Sequence, residues 1–163
     1  MGDRENNLRK AINKINREMR VTAISSVYET EPMYYEEQGW FLNCAIALET
    51  DIRPKEVLKR LRVIEEKLGR KPGPRYGPRV IDLDLLFYDD LVLSEPDLEI
   101  PHPRLAERAF VLAPLNEIRP DMVHPVLRKK VSELLGEVGS GKKVVRKPGP
   151  LDDFAPSVSP RRS

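Results

Sequence analysis

Cysteine is all but missing from this chain: Cys44 is the one thiol among 163 residues, so no disulfide framework is available. Set in a strand-like apolar run, it reads as a small buried hydrophobe and not as a nucleophile. There is no large excess of charge either, since 28 basic residues face 26 acidic ones, and a net charge of +2 is too small to imply nucleic acid as a partner. No apolar run approaches the ~20 residues of a membrane span. The first twenty residues are charged and amphipathic, unlike a secretory signal, and the expectation is a cytoplasmic protein. A Gly-x-x-x-x-Gly-Lys-Ser/Thr loop and an internal repeat are also missing.

What remains, 40% hydrophobic and 33% charged, is the composition of one soluble domain with a real core. Leu8, Ala11, Ile12, Ile15 and Met19 fall at helical spacing behind Asp3 as a possible N-cap, predicting a helix over about 4–20. Strands are expected over 21–30 and, after a loop at 31–39, over 40–50. Pro54 opens a second helix with the face Val57, Leu58, Leu61, Ile64 and Leu68, closed by Gly69. A loop at 71–74, a strand from Val80, a short strand near 91–93, a helical segment over 105–116 and a helix over 131–138 follow. This order predicts an α+β fold, a mainly antiparallel sheet covered by helices, over residues 1–146. Residues 147–163, with four prolines and little apolar content, read as a disordered tail.

The most informative stretch is Arg75-Tyr76-Gly77-Pro78-Arg79-Val80-Ile81-Asp82-Leu83-Asp84-Leu85-Leu86-Phe87-Tyr88. On a strand, Asp82 and Asp84 project together while Ile81, Leu83, Leu85 and Phe87 face the other way. Adjacent carboxylates repel, and a hard divalent cation shared with substrate phosphates removes that repulsion. Arginines just upstream supply planar donors for phosphate oxygens. The residues alone leave two readings open: a Mg²⁺-polyphosphate site, or an exposed sheet face with surface salt bridges.

This run resembles the signature of the 6-hydroxymethyl-7,8-dihydropterin pyrophosphokinase family of folate biosynthesis. Further blocks match in the family's order: Ser25-Ser26-Val27-Tyr28-Glu29-Thr30-Glu31-Pro32, Phe41-Leu42-Asn43-Cys44-Ala45, Ile64-Glu65-Glu66-Lys67-Leu68-Gly69-Arg70, and Pro101-His102-Pro103-Arg104 through Arg108-Ala109-Phe110-Val111-Leu112-Ala113-Pro114-Leu115. The resemblance implies a ferredoxin-like αβα sandwich. It also implies transfer of the pyrophosphoryl group of ATP to the hydroxymethyl oxygen of 6-hydroxymethyl-7,8-dihydropterin, giving the pterin diphosphate and AMP. Family members begin with a strand ending in Gly-Ser-Asn just before the first helix. Here the sequence starts at Met1-Gly2-Asp3, so the resemblance implies that this first strand is absent; two expectations stay open, a true start upstream, which the intact later blocks favour, or a chain that folds differently or poorly.

Carried over by matching position, the family assigns Asp82 and Asp84 to two Mg²⁺ ions, and Arg70 and Arg79 to the phosphates as catalytic arginines. His102 matches a nucleotide-site histidine whose ring N–H donates to phosphate. Glu65, Leu85, Leu98 and Arg104 lie at or near positions lining the nucleotide pocket, and Tyr76 stands where the family often has Trp, as a lid. On the pterin side a flat heteroaromatic ring needs aromatic faces and an amide along its polar edge. Phe41, Asn43 and Phe110 fit that need, Phe41 and Asn43 sharing a strand face, with Thr30, Pro32 and Met33 adding backbone groups. The expected partners are ATP and the pterin, with no nucleic acid and no membrane. An RNA-binding module on a similar frame is disfavoured, because the strand that should carry stacking aromatics carries two carboxylates.

Overall fold

The computed structural model describes residues 2–30, 41–69, 81–138 and 144–147, with backbone alone at 2–4, 30, 41 and 144–147. The apolar stripe Leu8, Ala11, Ile12, Ile15 builds α1 (Gly2–Glu18), and Ala11, Ile12, Ile15 and the following Met19 are buried. The backbone is already helical at Gly2, so Asp3 occupies the first turn and not the expected cap. Pro54, whose missing N–H costs nothing at a helix start, opens α2 (Pro54–Gly69), and Val57, Leu61 and Ile64 form its buried stripe.

Each of the two long strands expected at the start of the chain is split in two. β1 (Arg20–Ile24) pairs antiparallel with β4 (Ile46–Glu49), and β2 (Val27–Thr30) pairs with β3 (Phe41–Asn43). Ile24 stands opposite Ile46 but Tyr28 opposite Asn43, so one extra residue is taken up between β1 and β2, as in a bulge. Ser25 is the physical reason. Its amide donates to the Ala45 carbonyl at 2.8 Å, while its hydroxyl accepts the Ala45 amide at 2.8 Å and donates to the Ser26 carbonyl at 2.7 Å. A side chain thus substitutes for one rung of the ladder.

A second difference concerns 81–88, which propensity assigns to a strand. It has no ladder partner among the described residues, and a β-prone segment without a neighbouring strand is not a strand. The expected alternation holds through Leu85 and then fails. Leu83, Leu85 and Tyr88 pack with Ile15, Val57, Leu61 and Ile64, whereas Leu86 and Phe87 pack on the opposite side with Leu105, Leu112 and Val131. The strand expected at 91–93 is instead a hairpin, β5 (Leu93–Glu95) with β6 (Leu98–Ile100), turning at Pro96-Asp97.

A 3₁₀ turn (Leu105–Glu107) leads into α3 (Ala109–Ile118), and α4 spans Val131–Val138. An unanticipated β7 (Val144–Lys147) pairs with β2, making the order β3-β2-β7, and it ends on the residue with which the tail was expected to begin. Residues 148–163 lie outside the described residues. Because successive strand residues face opposite sides, Ala45 joins the core of α3 and α4 while Cys44 and Ile46 join Ile12 of α1. Among the described residues, four α-helices and short antiparallel ladders make the fold α+β.

Candidate active site

Asp82 and Asp84 are both exposed, on the side of their segment away from the Leu83 and Leu85 side chains. The residue between them is anchored from α2. Leu83 N–H donates to Glu65 Oε2 at 2.6 Å, and Arg62 Nη1 donates to the Leu83 carbonyl at 2.7 Å and to Glu65 Oε2 at 3.0 Å. Glu65, expected at the nucleotide pocket, therefore commits one oxygen to the backbone of the Asp-Leu-Asp segment. Leu85, expected at the same pocket, packs against the core of α1 and α2.

The Pro-His-Pro-Arg block is tied to this segment by the His102 amide, which donates to the Leu86 carbonyl at 2.9 Å. His102 Nδ1 accepts the Arg104 amide at 3.3 Å. With Nδ1 accepting this amide, Nε2 is the ring nitrogen left to donate. Arg104 is exposed beside it, and Leu98 is buried in β6.

On the other side, Phe41 and Asn43 occupy same-parity positions of β3, opposite Thr30 and Tyr28. Phe110 is the second residue of α3, which packs against β2 and β3. The Arg108 guanidinium lies over the Phe110 ring, 5.5 Å from its centroid, a cation–π contact that fixes the ring's attitude. Asn43 and Phe110 thus sit on packed elements, and Asp82, Asp84, Glu65, His102 and Arg104 are joined through hydrogen bonds to one segment. Arg70, Tyr76, Arg79, Pro32 and Met33, and the side chains of Thr30 and Phe41, lie outside the described residues.

The sequence reading missed Arg62, although its i, i+3 spacing from Glu65 is a pairing signal on a helix. It also missed Glu117, whose carboxylate accepts the Tyr28 hydroxyl at 2.8 Å. Cys44 is no nucleophile: burial, and secondarily the Glu117 carboxylate, push its thiol up to about 12. No helix among the described residues is long and apolar enough to cross a membrane.

Comparison with known proteins places the chain that carries these residues in one class, the pyrophosphokinases. The family model described as 7,8-dihydro-6-hydroxymethylpterin-pyrophosphokinase (HPPK) matches residues 1–120. A 2-amino-4-hydroxy-6-hydroxymethyldihydropteridine pyrophosphokinase of Aquifex aeolicus is 39% identical over 137 residues, covering 84% of this chain and 86% of the relative. The Bacillus subtilis protein of the same name is 45% identical over 120 residues, 72% of each chain. The folic acid synthesis protein FOL1 of Dictyostelium discoideum is 37% identical over 150 residues, 92% of this chain but 23% of that longer protein. The chain belongs to the HPPK family, and with it to the pyrophosphokinases of folate synthesis.

Proposed function

We propose that this chain transfers the pyrophosphoryl group of ATP to the hydroxymethyl oxygen of 6-hydroxymethyl-7,8-dihydropterin, releasing AMP. The observation that carries the detailed reading is the pair Asp82 and Asp84, exposed on one side of a segment whose central residue is anchored on both backbone groups. Mg²⁺ is held by one or two carboxylates together with substrate phosphates and water. The donor set fits in kind, because both groups offer only oxygen, the ligand a hard divalent cation prefers. When bound, the ions neutralise charge on the triphosphate.

The side chains do the rest by positioning. Asp82 and Asp84 hold the metal-bound triphosphate, His102 Nε2–H donates to a phosphate oxygen, and Arg70 and Arg79 bring permanent planar charge to the transferring group. Asn43 reads the pterin's polar edge and Phe110 offers a ring face. No protein nucleophile is needed, because the substrate hydroxyl attacks the β-phosphorus directly. The ferredoxin-like arrangement belongs to the same reading, supported by antiparallel strands with helices on both faces. The test is the rate of pterin diphosphate formation with Mg²⁺ and ATP in Asp82→Ala and Asp84→Ala. Both should fold, since neither touches the Leu83/Leu85 side, and both should lose activity. Retention of more than about a tenth, a change under ~1.4 kcal/mol, overturns the assignment.

A further inference from the structure

Segment 81–88 needs something to hold it. Its backbone carries the hydrogen-bonding groups of an extended chain, and buried groups of that kind must find partners. At Leu83 both are taken by one ion pair on α2: the amide donates to Glu65 Oε2 at 2.6 Å and the carbonyl accepts from Arg62 Nη1 at 2.7 Å. The two side chains also bond each other at 3.0 Å, so neither can swing without releasing Leu83. The Glu65 side chain is 10% exposed and the Arg62 side chain 43%, so the carboxylate of the pair is shielded while the guanidinium still meets solvent. The Leu83 side chain packs into the core with Val57, Leu61 and Ile64. Amide and carbonyl of the residue between the two aspartates are therefore both bound to α2, and its side chain is seated in the core that α1 and α2 share.

We propose that Arg62 and Glu65 are positioning residues for the Asp82/Asp84 pair, acting through the Leu83 backbone to set how the two carboxylates stand relative to each other. The inference rests on the reading of Asp82 and Asp84 as Mg²⁺ ligands. Rotation about the Leu83 backbone would swing one carboxylate against the other and spoil a shared ion site while leaving each carboxylate chemically intact. A pair that stands in for a strand would thus make ion affinity depend on residues that touch neither ion nor phosphate.

The experiment uses the full chain with Arg62→Met, Arg62→Lys, Glu65→Gln and, as reporter of the underlying reading, Asp84→Asn. Hydrogen exchange of the Leu83 amide is measured first. Mg²⁺ is then titrated calorimetrically at fixed ATP, and kcat is separated from the KM for pterin. Arg62→Met should speed Leu83 exchange and weaken Mg²⁺ by roughly 10–100-fold, and Glu65→Gln, which loses the ion pair with Arg62 but keeps an acceptor for the Leu83 amide, should move both in the same direction by less, with the pterin KM unchanged and Arg62→Lys recovering most of the Arg62→Met loss. Faster exchange with unaltered Mg²⁺ affinity would show a merely structural clamp and overturn the proposal, as would no change in either. If Arg62→Met fails to fold, Glu65→Gln decides by the same criteria, and Arg62→Lys serves as the variant expected to stay near the unaltered chain. Should Asp84→Asn leave the Mg²⁺ titration unaltered, the metal reading itself fails, whatever the clamp variants do.

Discussion

Glu117 near the end of α3 holds Ser26, 91 residues earlier in the chain, by three hydrogen bonds. The Ser26 amide donates to both carboxylate oxygens, at 3.1 and 3.2 Å, and its hydroxyl donates to Oε2 at 3.0 Å. Ser26 lies in the break between β1 and β2. Tyr28, which donates its hydroxyl to Glu117 Oε1, stands opposite Asn43 in the next ladder. One carboxylate therefore ties the helix that carries Phe110 to the strands that carry Asn43.

Glu117→Ala should destabilise the fold by about 1–3 kcal/mol, because the buried Ser26 amide loses its acceptor. Chemical denaturation with an unchanged slope and a lower midpoint is the expected result. A midpoint equal to that of the unaltered chain would mean that another group takes over the amide.

The sequence made the helices legible because their stripes recur at 3.6 residues. Val57, Leu61 and Ile64 are buried where expected, and α4 spans the residues its pattern predicts. Strand limits were hidden because they depend on one hydroxyl: Ser25 accepting the Ala45 amide breaks the ladder where β-propensity alone sees a continuous run. β7 is four residues set in a basic stretch, too short for its alternation to stand out. The shared exposure of Asp82 and Asp84 was legible from period two, although the segment is not a strand. Its support was not, because Glu65 and Leu83 are 18 residues apart and meet only when α2 packs beside the segment.

Asn43 and Phe110 should separate from the aspartates in their effect. Asn43→Ala leaves ring-edge groups of the pterin unpaired and should weaken pterin binding by roughly 1–3 kcal/mol, and Phe110→Ala should likewise act on pterin affinity. Neither should alter the Mg²⁺ dependence of ATP binding. Calorimetry with the pterin and, separately, with ATP and Mg²⁺ distinguishes the two sides; loss of ATP affinity in Asn43→Ala with pterin affinity intact would contradict the assignment.

His124 gives the fold a defined acid sensitivity. It is buried in the connection between α3 and α4, where Nδ1 accepts the amides of Val126 at 3.2 Å and Leu127 at 3.1 Å, and its ring meets Phe87 edge-on at 5.7 Å. Burial holds its pKa below the ordinary 6.5, and a proton on Nδ1 would set a donor against two donors. Above the unfolded value both states are neutral and stability is complete. As pH falls through about 6.5 the unfolded chain binds the proton first, so stability is lost progressively toward the lower folded value. Melting temperature should therefore drop between about pH 7.5 and pH 5, and His124→Asn, whose amide oxygen can accept the same two amides, should show a shallower drop from a lower starting point. Equal slopes in the two proteins would place the acid sensitivity in other groups.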